Sequence, residues 1–141
     1  MFITINLSNT AEPKPVAPGR YNLIISEAKF RDAKKDIEVS LGIDGHLDAP
    51  NIRHFISLPK PDDDAGKVAF KQLMLKRFLE QFKIPFHDTE GFNIEDFNGQ
   101  QASVQLNLSE PDDNGAVYNR MQLDKLTNEP ERAPVAKQKK A

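Results

Sequence analysis

The chain contains no cysteine and no tryptophan among its 141 residues. Without cysteine it forms neither disulfides nor thiolate metal sites, and a reducing compartment is its natural setting. No apolar run approaches the ~20 residues that a membrane-crossing helix needs. The first ten residues, MFITINLSNT, lack a basic segment followed by an apolar core, so they do not predict a signal peptide. These absences favour a cytoplasmic protein.

Acidic and basic residues are nearly balanced, because the formal net charge is only −2. Residues 127–141 differ from the rest: they hold four basic side chains and two acidic ones, which leaves −4 for the remaining chain. A basic surface on the body would therefore have to be local. This last segment is rich in Pro, Lys, Glu and Ala and ends in KQKKA. It is predicted to be a disordered basic tail.

The strongest local pattern is helical and covers Lys67–Phe82, KVAFKQLMLKRFLEQF, which contains neither glycine nor proline. At 3.6 residues per turn the apolar side chains form one stripe, made of Val68, Phe70, Met74, Leu75, Phe78, Leu79 and Phe82. Asp62–Asp64 precede the helix and supply a capping side chain and favourable negative charge. Ile84-Pro85 ends it, because proline disfavours a helical residue before it. A stripe this apolar must pack against other elements.

Five further segments alternate between apolar and polar residues, as half-buried strands do. They are residues 19–30, 36–44, 51–58, 100–108 and 117–126. In the fourth strand Leu106 and Leu108 are both expected to face inward. Residues 92–99 predict a short helical turn closed by glycine, and residues 85–91 predict a loop. Residues 1–7 also alternate, which indicates either a short edge strand or part of a proline-containing arm over residues 1–17.

Three strands, one helix and two strands follow one another, and this is the element order of the OB-fold, a five-stranded Greek-key barrel. The helix can then cover an open end of the barrel. A ferredoxin-like fold needs a second long helix, and a β-sandwich leaves this helix without a surface to cover. We therefore predict a mainly β protein, with one OB-fold domain over residues 18–126 and the helix between strands 3 and 4.

Two segments resemble small phage-encoded single-stranded DNA-binding proteins. One is Pro18–Ile25, PGRYNLII, and the other is Phe92–Leu106, FNIEDFNGQQASVQL, in which a short turn ending in glycine leads into the fourth strand. The similarity extends over about residues 18–126. It implies a protein that protects single strands during replication or recombination. Many such proteins end in an acidic, partner-recruiting tail, whereas this chain ends in KQKKA. The resemblance does not carry that role over.

Single-strand binding needs cations along the phosphates and aromatic faces on which bases stack. Because residues two apart share one face of a strand, the third strand directs Arg53 and Phe55 outward together. The fifth strand directs Tyr118 and Arg120 outward in the same way. The connection between the first two strands adds four cations, Lys29, Arg31, Lys34 and Lys35. These eight residues form the predicted DNA-binding site.

Each of these assignments has a plainer alternative. Phe55 belongs to the core if a bulge inverts its strand, and Tyr118 covers the barrel if it is half-buried. The Lys34-Lys35 pair is otherwise a solvated loop. Phe30 fits an anchor in the barrel mouth better than a stacking partner. The C-terminal lysines act either as an auxiliary electrostatic arm or as a solubilising tail.

No pattern in the chain is typical of an enzyme. Asp62–Asp64 is the densest carboxylate group, but a two-metal nuclease needs carboxylates from several elements rather than one loop. His54 lies on an apolar face, which indicates a core residue rather than a ligand. Residues 112–115, DDNG, predict a turn and lack the spacing of a calcium loop. We therefore expect no enzymatic activity, no cofactor and no metal.

The sequence thus predicts a sequence-tolerant binder of single-stranded DNA. Replication or recombination proteins are further candidate partners, and both a monomer and a homodimer are compatible with the sequence. The alternative is a non-enzymatic protein-interaction or assembly module built on the same fold, for which the acidic body is an argument.

Overall fold

The computed structural model describes residues 1–126, so the predicted tail lies outside the described residues. Its elements, in chain order, are β1 (Gly19–Arg31), β2 (Asp36–Ile43), β3 (Ile52–Ser57), α1 (Ala65–Gln81), β4 (Phe86–His87), β5 (Gly91–Phe92), a 3-10 helix (Ile94–Phe97), β6 (Gln101–Leu108) and β7 (Asn119–Gln122).

The five longer strands form one antiparallel sheet in the order β3-β2-β1-β6-β7. Its two edge strands, β3 and β7, lie in contact but share no hydrogen-bonded ladder. The sheet is therefore a nearly closed five-stranded barrel with one helix between β3 and the strands that follow. This confirms the predicted mainly β class, and the architecture is consistent with an OB-fold.

Strand β1 pairs with strands on both sides of the barrel, and a bulge bends it partway along its length. Its pairing with β2 shifts register between Ile25 and Glu27, so that Ser26 is the extra residue. Before the bulge Leu23 and Ile25 point into the core, and after it Ala28 takes that side. The first half of β1 pairs with β6, and its second half pairs with β2 alone. A bulge increases local bend and twist, which is what closure of a small barrel requires.

A stack of aromatic rings fills the end of the barrel under α1. Phe78 is fully buried, with its ring centroid 4.6 Å from that of Phe82 and 5.6 Å from that of Phe97. Only the C-terminal half of the predicted apolar stripe is used in this way. Phe70, in the N-terminal half, is 63% exposed, because the first turns of α1 extend past the barrel wall. Its predicted place in the buried stripe is wrong.

Helix α1 begins two residues earlier than predicted, directly after Asp64. The Asp64 carboxylate accepts a hydrogen bond from the Lys67 backbone N–H at 2.8 Å, which confirms the capping role of this aspartate group. Its neighbour Asp63 accepts from the Lys60 backbone N–H and pairs with the Lys71 ammonium at 2.6 Å. Among the described residues, no helix combines the length and apolar character needed to cross a membrane.

Two segments differ from their predictions. Residues 1–18 form no strand, and Ile3 and Ile5 in the arm are each 68% exposed, because no neighbouring strand lies beside the alternating segment. Residues 85–91, predicted as loop, contain the strand β4, which pairs with β5 as a small hairpin. This hairpin brings Phe86 opposite Phe92, and both rings pack on the core.

The ends of β6 and β7 also differ. Leu108 closes the β6 ladder and is 43% exposed instead of inward, because the barrel wall has ended there. Strand β7 covers four residues rather than the ten predicted. It stops after Gln122 because the chain turns towards α1: the Asp124 N–H donates to the Gln81 side chain, and the Asp124 carboxylate pairs with Arg20 at 2.9 Å.

His54 is part of the core, as its place on the apolar face of β3 predicts. Its ring stacks on Phe78 with centroids 5.6 Å apart and planes inclined by 6°. Burial, together with the nearby positive charge of Arg120, lowers the pKa of His54 from 6.5 to about 4. The folded protein therefore holds this imidazole in its neutral form at pH 7.

This burial predicts a pH-dependent stability. Because the folded-state pKa lies below the unfolded one, stability is complete above pH 6.5 and falls as the pH drops towards 4. The loss should reach roughly 2–3 kcal/mol of the free energy of unfolding. Urea titrations between pH 7.5 and 4.5 measure it. His54→Phe keeps a ring against Phe78 and should flatten the dependence, while the exposed His87→Gln should keep it. Parallel pH profiles for wild type and His54→Phe would contradict the assignment.

Candidate nucleic-acid interface

The predicted site residues of β1 and β3 meet on one outer face of the barrel. Pairing across the sheet aligns Lys29 of β1, Glu38 of β2 and Phe55 of β3 in a single row. Directly paired residues in antiparallel strands share a face, and residues two apart along a strand do so as well. We call this surface the β1–β3 face and define it by six residues: Lys29, Arg31, Asp36, Glu38, Arg53 and Phe55.

Arg31 is the most constrained cation on this face. Its guanidinium donates from Nε to Asp36 Oδ1 at 2.8 Å and from a terminal nitrogen to Oδ2 at 2.7 Å. This bidentate pair covers Asp36, which is only 8% exposed, and holds the pKa of that carboxyl below its ordinary value. The guanidinium carbon also lies 4.6 Å from the centre of the Phe55 ring, within cation–π range. Arg31 is therefore oriented as a planar group next to an aromatic ring.

Two other site cations are also paired with carboxylates. Arg53, with a side chain 70% exposed, has its Nε 3.1 Å from Glu38. Lys35, in the β1–β2 loop, contacts Asp32 at 2.8 Å and has a positive φ of 52°. By contrast, Lys29, Lys34 and Arg120 form no ion pair among residues 1–126. These three cations are the ones available to phosphates without the loss of an existing pair.

Positive charge is in local excess where the β1–β2 hairpin ends. The Asp36 carboxylate is next to Arg31, and the charges of Lys34 and Lys60 lower its pKa further. Three cations thus surround one carboxylate at this end of the β1–β3 face. Elsewhere on the face Glu38 offsets Arg53, while Lys29 adds one further positive charge. The acidic body of the protein and a local basic surface are therefore compatible.

Tyr118 lies just before β7 and is 55% exposed. Its hydroxyl donates to Asp112 at 2.7 Å, which lowers the pKa of the Asp112 carboxyl and raises that of the Tyr118 phenol. The backbone of Tyr118 is fixed as well, because its N–H donates to Ser109 Oγ and its carbonyl accepts from the Ser109 N–H. The ring is therefore held in one orientation on the surface.

An open gap between β3 and β7 joins the two halves of the predicted site. A cleft of about 470 Å³ runs along it, and both Arg53 and Tyr118 line this cleft. No ring contact joins Phe55 to Tyr118 within residues 1–126. The two aromatic residues are thus separate exposed surfaces, and Arg53 lies on both the cleft and the β1–β3 face.

The structure shows the positions of Phe55, Lys29, Arg31 and Phe30. Phe55 is not a core residue, because it is 43% exposed on the face opposite Ile52 and Ile56. Lys29 and Arg31 lie on β1 itself rather than in the loop, since their pairing with Glu38 and Asp36 continues the ladder to its end. Phe30 occupies the core side of β1 opposite Ile37 but is 47% exposed, so it does not anchor the barrel mouth.

Two carboxylates that the sequence pattern does not mark as site residues, Asp36 and Glu38, also belong to this face. They lie on the same face as the cations, and they determine which of those cations are already in ion pairs. Alternation alone was sufficient to place Glu38 outward, but the cross-strand register was needed to place it beside Arg53 and Phe55. The sequence did not single out Lys60 either, because it is the lysine of the Pro59-Lys60-Pro61 break and belongs to no strand.

The described residues contain no group of three or more His, Cys, Asp or Glu side chains arranged to hold a metal ion. Asp112 instead serves the turn predicted at residues 112–115: its carbonyl accepts from the Gly115 N–H, and Gly115 has a φ of 80°. The surface can therefore offer ring faces, a guanidinium plane and free cations to a ligand.

Comparison with known proteins adds no family, because neither a protein-family model nor a curated protein matches the chain.

The two ion pairs at the hairpin end predict unequal effects on stability. Asp36→Asn removes a bidentate partner from a nearly covered pair, so it should lower the urea midpoint clearly. Asp32→Asn is the matched control, because the Lys35–Asp32 pair is solvated, with its side chains 50% and 80% exposed. It should leave the midpoint nearly unchanged. Equal midpoints for the two variants would mean that the Arg31–Asp36 pair does not stabilise the hairpin.

Proposed function

We propose that this protein is a non-enzymatic single-stranded DNA-binding protein that binds without strong sequence preference and protects single strands during replication or recombination. The observation that carries the proposal is Phe55: a large aromatic ring, 43% exposed, on a strand face that also holds three cations. Exposed aromatic and cationic side chains on one face are the combination that single strands require.

The way in which this surface would bind a strand follows from its contacts. The Arg31 guanidinium lies over one face of the Phe55 ring, so a base can stack on the opposite face of Phe55 or on the outer side of the guanidinium. Both aromatic rings and guanidinium planes stack on bases, and every base has such a face. Stacking of this kind discriminates little between bases. This supports sequence-tolerant binding.

Most of the phosphates would be met by the cations without carboxylate partners. Lys29 lies in the same row as Phe55, and Lys34 lies at the adjacent hairpin end. Arg31 is less suited to this task, because a phosphate contact would compete with its buried pair to Asp36. We therefore expect a modest number of phosphate contacts, three or four, and moderate affinity.

This assignment predicts a measurable salt dependence. The slope of log K against log salt for an oligo(dT) should be about −2 to −3, given roughly −0.7 per phosphate contact on a single strand. Fluorescence anisotropy at several salt concentrations measures the slope. Lys34→Ala should make it shallower by about 0.7, whereas Lys83→Ala, a cation after α1, should not change it. A flat salt response in the wild-type protein would contradict phosphate binding.

The stacking role of Phe55 has a test with a matched control. Phe55→Ala should weaken oligo(dT) binding by roughly 1–3 kcal/mol while leaving the melting temperature almost unchanged, because the ring is not in the core. Phe70→Ala removes a phenylalanine of α1 that is even more exposed than Phe55, 63% against 43%, and should alter neither quantity. Anisotropy and thermal melts of the three proteins give both readouts. A stable Phe55→Ala protein with wild-type affinity would exclude Phe55 as a stacking residue.

A protein-interaction module is the second candidate, and the N-terminal arm favours it. Phe2, Ile3, Ile5 and Leu7 are all at least 63% exposed, in an uncharged segment without Pro or Gly. Such a segment can add a strand to the edge of another sheet. A protein that lacks only residues 1–7, and so keeps Pro15 and Val16 in place, would support this role in addition to DNA binding if it keeps oligo(dT) affinity but loses a binding partner.

A further inference from the structure

The cleft between β3 and β7 has the shape and composition of a small-ligand site. Its volume of about 470 Å³ falls in the range of protein pockets for small molecules. Much of its wall is apolar, contributed by Pro15, Pro50, Ile52 and Val117. A few polar side chains are added at definite positions. Walls of this kind suit a flat, largely apolar group with polar edges.

One wall of the cleft is built by the N-terminal arm and is clamped in place. The Val16 N–H donates to Asn119 Oδ1 at 2.9 Å, and Asn119 Nδ2 donates back to the Val16 carbonyl at 2.9 Å. The Asn119 amide thereby donates one hydrogen bond to, and accepts one from, the segment that carries Pro15. This fixes the width of the cleft at its arm side before any ligand arrives.

A second wall is the Tyr118 ring, which is also held before binding. The hydroxyl bond to Asp112 and the two backbone bonds to Ser109 prevent the ring from turning away. An aromatic ring that is already oriented loses little conformational entropy when a base stacks on it. Its 55% exposure leaves a face available.

Two polar groups at the cleft remain able to contact a ligand. Asn51 lines the cleft, with its amide Oδ1 next to Gly42 of β2, and its side chain carries both a donor and an acceptor. Arg53, at the rim, is 70% exposed and contacts Glu38 through Nε, so much of its guanidinium faces solvent. A donor–acceptor pair matches the edge of a nucleobase, and a cation at the rim matches the phosphate attached to it.

We infer that the cleft binds one unstacked nucleobase of the single strand, with Tyr118 against its face, Asn51 at its polar edge and Arg53 at its phosphate. The inference rests on the proposed function and deepens it, because it adds a pocket for a single base to the open stacking surface of Phe55. The bound strand then crosses from the β1–β3 face to the β3–β7 gap, and Arg53 lies where the two meet.

Abasic scanning tests this inference. A set of oligo(dT) strands of about 12 nucleotides, within the site size of one OB-fold, carries a single abasic position moved along the strand. With wild-type protein, one position should lose roughly 5- to 150-fold in affinity, the effect of one base–aromatic stack. A second loss of comparable size, at the base stacked on Phe55, is identified separately, because Phe55→Ala abolishes it.

Measurements on variant proteins then test whether the sensitive position lies in the cleft. Tyr118→Ala should weaken binding of the intact strand but have little further effect on the strand that is abasic at that position. Tyr118→Phe keeps the ring and should retain most of the affinity. Asn51→Ala should reduce the differences among strands carrying A, C, G or T there. Leu47→Ala, a fully exposed residue of the β2–β3 loop, is the control and should behave as wild type.

Three outcomes would overturn the inference. If the protein binds oligo(dT) but loses the same affinity at every abasic position, the cleft is not a base site, while the proposed function still holds. An equal cost of Tyr118→Ala on intact and abasic strands also places no base at Tyr118. No binding of any strand removes both the inference and the proposed function.

Discussion

The position of Phe78 at the centre of an aromatic stack is the constraint on which the rest of this structure depends. Its ring contacts Phe82 from the same helix, Phe97 from the 3-10 helix and His54 from β3. Three separate elements are thereby attached to one point under the barrel. Because β3 is held from below, its outer side chains, Arg53 and Phe55, are presented to solvent in a fixed register. The candidate interface is a consequence of how the core is filled.

Electrostatics then decides what that interface can do. An isolated count of cations suggests a strongly basic surface, but two carboxylates of the neighbouring strand β2, Asp36 and Glu38, pair with Arg31 and Arg53. Paired guanidinium groups keep their flat faces while losing much of their long-range field. The proposed surface therefore favours short-range stacking over charge attraction. In a body with net negative charge, this arrangement limits non-specific attraction of polyanions.

Much of the fold was predictable because strand alternation and one amphipathic helix are local properties of sequence. The outward directions of Arg53 and Phe55 followed from the apolar residues between which they lie. The limits of prediction were at element ends. The β7 strand is shorter than its alternation indicates because Gln81 and Arg20, both distant in sequence, bind Asp124. The N-terminal alternation formed no strand because a strand needs a neighbour as well as a pattern.

The sequence by itself determined the class of fold, the helix cap at Asp64, the core location of His54 and the identity of most candidate site residues. Each depends on spacing along the chain and on the polarity of single residues. Only the tertiary structure decided which residues meet. It placed Glu38 between Lys29 and Phe55, held Arg31 over Phe55, and opened a cleft between Arg53 and Tyr118. The physical reason is that register and barrel closure are set by contacts between distant strands, and no local pattern encodes them.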